Sequence, residues 1–232
     1  MIIEVKNLSK VYGKTEVLNI ENLKIESGES FGLVGNNGAG KTTFFSLILD
    51  LIEASGGEIL SNGIAVARSD HWKAYTGSYI DEKFLIEFLY PEEYFEFVAN
   101  LNSLTRKEYT DFIEKYREFF AEEILGQKKF IRDLSKGNQK KVGIAAALLT
   151  KSDLLVMDEP FPHLDPTSVF RLKKILLEIQ KEKNTTILLS SHDLNHVSDV
   201  CKRIVILEKG KIVQDLTHGE DNLKILESYF AV

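Results

Sequence analysis

The chain has 232 residues, with 29 lysines and arginines against 35 aspartates and glutamates, a formal net charge of -6, 44% hydrophobic residues, four prolines and one cysteine. That length gives one sizeable core, or one core with a satellite subdomain, and excludes a multi-domain machine on a single chain. The composition excludes disorder and fibrous repeats, and the acidic balance excludes a global attraction to nucleic acid or anionic lipid, so any phosphate must be held locally.

Met1 to Glu4 runs into a short alternating segment without a basic flank or long apolar stretch, so neither a signal peptide nor export is expected. Ile2 to Lys6 and Val17 to Ile25, rich in branched apolar residues at near-alternating spacing and punctuated by Gly13 and Gly28, predict antiparallel strands. Ser30 to Val34 predicts a short strand that runs into a Gly-rich turn and then a buried helix over Lys41 to Ile52. Gly56-Gly57 ends that helix, and strand-like pieces follow around Glu58 to Leu60 and Tyr75 to Ile80. Between about Phe84 and Thr150 the apolar residues of Pro91 to Asn102 and of Arg106 to Ala121 fall at helical spacing among many charges, which predicts a helical subdomain with an aromatic core. Val142 to Thr150, the longest uncharged and largely apolar stretch, is far short of the roughly 20 residues that cross a bilayer, so no span is expected. From Asp153 onward strands (Asp153 to Met157, Thr185 to Leu189, Arg203 to Leu207) alternate with helices (Pro166 to Lys183, Leu194 to Cys201), predicting a parallel sheet covered by helices on both faces. Cys201 has no partner for an internal disulfide and reads as a small buried hydrophobe in a reducing, cytosolic setting. Lys209-Gly210 predicts a hairpin turn into Lys211 to Asp215, and Asp221 to Phe230 a closing helix.

The strongest local signal is Gly35-Asn36-Asn37-Gly38-Ala39-Gly40-Lys41-Thr42, a phosphate-binding loop between a predicted strand and a predicted helix. Glycines let the backbone close around phosphate oxygens, successive N–H groups and the helix N-terminus favour an anion, and Lys41 adds a positive charge. The Thr42 hydroxyl is a candidate Mg²⁺ ligand, and Thr43 is counted with the loop. The apolar strand Asp153 to Met157 ends in two adjacent carboxylates: Asp158 can hold the hydration shell of Mg²⁺, and Glu159 can reach an attacking water. Another apolar strand precedes Ser190-Ser191-His192, where His192 could contact a γ-phosphate. His192 and His196 are also spaced like a helical zinc pair, but no third ligand is evident and zinc is not expected.

Together these motifs resemble those of ATP-binding-cassette (ABC) transporter ATPases, and Leu134-Ser135-Lys136-Gly137-Asn138-Gln139-Lys140-Lys141-Val142 resembles that family's signature segment. The order of loop, signature, Asp-Glu pair, Leu164-Asp165 and His192 also matches, over nearly the whole chain. The resemblance implies an α/β phosphate-loop NTPase with a mainly parallel core sheet, N-terminal antiparallel strands and an inserted α-helical subdomain; residues 1–83 and 151–232 would form the ATP-binding core and 84–150 the helical subdomain. It further implies that Tyr12 stacks on adenine, that Ser135 and Gly137 contact the γ-phosphate bound by a second subunit, and that Asp165 lies in the loop coupling two sites. The expected activity is ATP hydrolysis with Mg²⁺ by a homodimeric subunit that is peripheral on the inner face of the cell membrane, pairs with a separate permease and binds no nucleic acid. A soluble, non-transport ATPase of this family and a binding-only regulatory subunit are the alternatives.

Three departures stand out. Lys136 and Asn138 replace a second Gly and a Gln in the signature, and His163 replaces the Gly that usually precedes the Leu-Asp pair. The glutamine expected near the start of the helical subdomain is absent: Gly77-Ser78-Tyr79-Ile80-Asp81-Glu82 puts Asp81, or on a shifted alignment Glu82, in its place. A carboxylate is still a hard oxygen ligand, so Asp81 is expected to face Mg²⁺ directly or through water.

Overall fold

The computed structural model describes residues 2–150 and 152–217; the closing helix expected over Asp221 to Phe230 lies outside them. In chain order the elements are β1 (Ile3–Tyr12), β2 (Thr15–Ile25), β3 (Ser30–Val34), α1 (Lys41–Ile48), β4 (Gly56–Ser61), β5 (Ile64–Ala65) and β6 (Thr76–Tyr79). Then come α2 (Pro91–Leu101), α3 (Arg106–Lys115), α4 (Arg117–Ile124), α5 (Lys136–Leu149), β7 (Leu154–Met157), α6 (Pro166–Lys183), β8 (Thr186–Ser191), α7 (Leu194–Ser198), β9 (Arg203–Glu208) and β10 (Lys211–Thr217). Short 3-10 turns link several of them, one at Glu82–Phe84 directly after β6.

The strands form two sheets, an antiparallel one in the order β2-β1-β4-β5 and a six-stranded one in the order β10-β9-β3-β8-β7-β6. Within the larger sheet β9, β3, β8, β7 and β6 are parallel and only β10 runs against its neighbour. The apolar runs of β3, β7, β8 and β9 are buried on both sides, as strands of a covered parallel sheet are. Their period-2 alternation divides them: Phe31, Leu33, Leu154, Val156, Leu188, Val205 and Leu207 enter one core, and Val34, Leu155, Met157, Ile187, Leu189, Ile204 and Ile206 the other.

The second core is covered by helices as expected, with Val142 and Ile144 of α5, Leu172 and Leu176 of α6 and Val197 of α7, and it continues into Phe95, Phe119 and Phe120 of the helical region. The first core is not covered by helices alone. There the large sheet packs on Phe44, Phe45 and Ile48 of α1 and on Ile3, Leu8, Leu18 and Ile20 of the antiparallel sheet. The alternating apolar residues of β1 and β2 give that hairpin an inward face with its own area to bury, so one helix and one sheet share the side that was assigned to helices.

Two helical expectations are shortened for local reasons. The helix after the loop stops at Ile48, because Asp50 takes a left-handed φ of 49° and Leu51 bonds back to the Ser46 carbonyl. The stretch Arg106 to Ala121 is broken at Tyr116, whose φ of -107° and ψ of 13° separate α3 from α4.

Candidate nucleotide site

Three adjacent buried strands carry polar chemistry at their C-terminal ends. β3 leads into Gly35–Lys41, β7 into Asp158-Glu159, and β8 ends on Ser190-Ser191 before His192. Ligands of open parallel sheets bind at these carboxyl ends, where loops diverge and leave a crevice.

The first loop is built tightly. Gly40 caps α1 at φ 108°, a conformation that a side chain would strain, and the Ala39 N–H bonds to Asn36 O at 3.0 Å to close the turn. Asn36, Asn37, Gly38 and Thr42 are exposed, whereas Lys41 is buried and folds back so that Nζ donates to Gly35 O at 2.6 Å. Thr43 is partly exposed on the same turn of α1. The loop therefore turns backbone outward and holds its ammonium inward, the arrangement that suits an anion at a helix N-terminus.

Asp158 is 4% exposed. Its Oδ2 accepts from Thr42 Oγ1 at 2.5 Å and its Oδ1 from the Ser190 hydroxyl. Burial pushes its carboxyl above the usual aspartate value, while the Ser190 and Thr42 hydroxyls pull the other way. A hydroxyl beside a carboxylate oxygen is a hard-donor set, so Thr42 and Asp158 fit a Mg²⁺ ion that keeps most of its waters.

Glu159 sits in the middle of the site. Oε2 is 3.0 Å from Nδ1 of the half-exposed His192, and Oε1 is 3.2 Å from Lys41 Nζ. Oε1 is buried and no donor is aligned with it, so the Lys41 contact is an ion pair without a hydrogen bond. Glu159 itself is strained, with a φ of 45°, and side chains hold both of its backbone polar groups. Its N–H donates to Ser190 Oγ at 2.9 Å, and its carbonyl accepts from Lys140 Nζ at 2.8 Å.

The signature segment forms the start of α5. Ser135 caps the helix by accepting the Asn138 N–H at 3.2 Å, which leaves its hydroxyl hydrogen to donate elsewhere. A side chain at position 137 would collide with the His163 carbonyl, so the loop after β7 packs directly on the helix start. That loop turns at His163 with φ 68°, a left-handed value that explains why glycine suits the position. Asp165 caps α6, accepting from the Ser168 N–H at 2.9 Å and from its hydroxyl at 2.5 Å, and pairs with Lys141 Nζ at 3.2 Å. The two Ser168 bonds, and after them Lys141, hold the Asp165 carboxyl well below the usual carboxylate range.

The structure thus brings together Gly35 to Thr43, Asp158, Glu159 and His192, and gives Ser135, Gly137 and Asp165 a separate cluster around the start of α5. Tyr12 stands apart at the β1–β2 turn, half exposed, with Lys10 Nζ 4.9 Å from its ring centre; the same hairpin touches the loop where Val17 O approaches Gly40. Asp81 is engaged within its own turn. Its carboxylate caps the turn after β6, accepting from the Lys83 N–H at 2.9 Å and pairing with Lys83 Nζ at 3.5 Å, because the strand ends at Tyr79 and the chain turns at once.

The side chain that turns inward is Glu82, which accepts from Tyr79 Oη at 2.6 Å and lies 3.7 Å from Lys140 Nζ. Burial, and then the Glu82 bond, push the Tyr79 hydroxyl far above the ordinary phenol value; burial lowers Lys140. Ser190 and Lys140 were not assigned site roles from the sequence. Ser190 had a signal, since a hydroxyl near the end of an apolar strand, two residues before His192, must find a partner, whereas Lys140 looks like any charge on a polar helix start.

A family model described as ABC transporter matches residues 18–162, and one described as AAA domain, putative AbiEii toxin, Type IV TA system matches residues 130–198. The bacitracin transport ATP-binding protein BcrA of Enterococcus faecalis is 32% identical over 224 residues, covering 94% of this chain and 70% of that protein. A solved structure of an ATP binding subunit of an ABC transporter superposes with a TM-score of 0.84 at 33% identity, over 100% of this chain and 94% of that one. An ATP-binding cassette solved as a dimer in a post-hydrolysis state with ADP and Pi shares the fold, with a TM-score of 0.82 at 23% identity over 94% of this chain and 99% of that one.

Proposed function

The chain belongs to the ABC transporter family as its ATP-binding subunit, and on that premise we propose that it hydrolyses ATP at the Gly35–Thr43 loop to drive a separate membrane permease. The observation that carries this reading is the convergence on one carboxylate: Glu159 lies between Lys41 and His192, next to an Asp158 already bonded to Thr42. Phosphoryl transfer needs little covalent help from a protein, so positioning and charge supply most of the effect.

Loop N–H groups and Lys41 bind the phosphates. Thr42 and Asp158 would hold Mg²⁺, which would supply positive charge against the phosphates. Glu159 accepts a proton from the attacking water as its oxygen bonds to the γ-phosphorus and the bond to the leaving β-phosphate oxygen breaks, giving ADP and phosphate. His192 faces the γ-phosphate and its Nδ1 contact orients the Glu159 carboxylate, and Tyr12 stacks on the base. The helical region 84–150 presents Ser135 and Gly137 to nucleotide bound by a second copy, with Asp165 in the loop between the two sites. The related dimer, and the cap geometry that leaves the Ser135 hydroxyl free to donate, support this pairing.

Among the described residues no helix is long and apolar enough to cross a membrane. Exposed Phe84 and Phe88, on the stretch after β6, support a docking face for the permease at the inner side of the cell membrane. The test is Glu159→Gln, assayed for phosphate release: turnover should fall by about 100-fold or more while ATP is still bound. Unchanged turnover would remove Glu159 from its role.

A further inference from the structure

Lys140 lies on α5 within the signature segment, but it is not among the residues to which a site role has been assigned. Its side chain is 7% exposed, which is unusual for an ammonium unless its charge is compensated. Three groups face it: the Glu159 carbonyl at 2.8 Å, the Glu82 carboxylate at 3.7 Å, and the Tyr79 ring with its centre 5.5 Å away. Tyr79 in turn donates its hydroxyl to Glu82 and offers its backbone carbonyl to the Asp158 N–H at 2.8 Å. The ammonium is thus enclosed by β6, by the turn after it, and by the residue that follows Asp158.

Glu159 is the one group in this cage that needs holding. Its left-handed backbone is costly for a residue with a side chain, and such conformations persist only where the surroundings over-determine them. Ser190 fixes its N–H and Lys140 fixes its carbonyl, so the peptide groups on both sides of the strained residue are pinned. Rotation about either would swing the carboxylate away from His192 and Lys41.

We propose that Lys140 is a positioning residue for hydrolysis: by holding the Glu159 carbonyl, with its own charge anchored by Glu82, it sets the direction of the Glu159 carboxylate. The proposal rests on the reading of Glu159 as proton acceptor. Lys140 makes no contact with nucleotide in this reading, so its loss should lower the rate without weakening binding.

The experiment compares Lys140→Met, which keeps the length and removes the donor and charge, with Lys140→Arg, which keeps both. Phosphate release is measured against ATP concentration, nucleotide affinity is measured separately by titration with ADP, and thermal unfolding checks the fold. Lys140→Met should lower kcat at least tenfold without raising KM or weakening ADP binding, and have no further effect on kcat when combined with Glu159→Gln; Lys140→Arg should keep at least a third of the rate. A methionine variant with the parental kcat, one that loses ADP affinity in step with turnover, or one whose defect multiplies with that of Glu159→Gln overturns the proposal. If the methionine variant does not fold, Lys140→Gln carries the test, with an expected threefold to tenfold loss in kcat at constant KM; an unchanged kcat or a parallel rise in KM overturns it. Undiminished turnover in Glu159→Gln alone strikes the underlying reading instead, so the two failures are separable.

Discussion

On the proposed function, nucleotide displaces Glu159 from Lys41, which makes ADP affinity in Glu159→Gln a quantitative test of the site. The two charges are 3.2 Å apart, with the lysine side chain 6% and the glutamate side chain 24% exposed. At an effective dielectric of about 20 the bare Coulomb term is about 5 kcal/mol, an upper bound. Desolvation of both ions opposes it, and Oε1 gains no aligned hydrogen bond, so the net pair stabilises the nucleotide-free protein by about 1–2 kcal/mol. Lys41 keeps its bond to Gly35 O at 2.6 Å after the substitution, so its position should not change. Releasing the competing carboxylate should then tighten ADP binding by roughly fivefold to thirtyfold, since 1.4 kcal/mol is a factor of ten. ADP is the right probe because it has no γ-phosphate for a second subunit to recognise, so dimer closure does not enter the titration. Calorimetry at low and high salt adds a control: the pair is mostly buried and weakly screened, so the gain should persist at 0.5 M salt. ADP affinity equal to that of the parent within twofold, or weaker, refutes the reasoning.

Three further outcomes follow from the geometry. Asp158→Asn should stabilise the nucleotide-free protein at neutral pH by about 1 kcal/mol, or 2–4 °C in Tm, because it removes a buried charge whose carboxyl is pushed up by burial. A raised folded-state value means that the aspartate's contribution is fully present below the ordinary carboxylate range and is lost as pH rises through the raised value, so the advantage of asparagine should vanish toward pH 4; unfolding curves at several pH values that show a constant difference would count against this. Ser190→Ala should cost about 1–3 kcal/mol in urea unfolding, because the Glu159 N–H loses its acceptor in a buried site and Asp158 loses a donor; a cost below 0.5 kcal/mol would show that neither group depends on Ser190. His163→Gly should raise the unfolding midpoint, by up to about 1 kcal/mol, by relieving the left-handed φ of 68°, and a lower midpoint would mean that the imidazole makes compensating contacts.

Much of the site was legible in the sequence because its chemistry sits where strands end. The runs Phe31 to Val34, Leu154 to Met157 and Ile187 to Leu189 are apolar, and the residues that follow them, Gly35, Asp158 and Ser190, arrive together once the strands pair in parallel. What was not legible depends on contacts across the chain. Asp81 and Glu82 are adjacent carboxylates, and sequence spacing cannot say which turns inward; that is decided by β6 ending at Tyr79, which lets Asp81 cap the turn and sends Glu82 toward Lys140. The coverage of the large sheet was misassigned for a similar reason, since alternation along β1 and β2 marks an apolar face without saying what it covers.

The same dependence on contacts explains why the start of α5 governs two loops. Lys140 and Lys141 are consecutive, so on a helix they point about 100° apart, and both are buried. One reaches the Glu159 carbonyl and the other the Asp165 carboxylate, while one turn earlier Gly137 packs on the His163 carbonyl. The loop from Glu159 to Asp165 is therefore fastened to α5 at both ends and near its middle. A rigid shift of α5 cannot occur without moving the carbonyl behind Glu159 and the cap of α6 together. A shift of α5 on engagement of Ser135 at the helix start would thus reach Glu159 through Lys140 and its carbonyl bond, without any contact to the carboxylate itself.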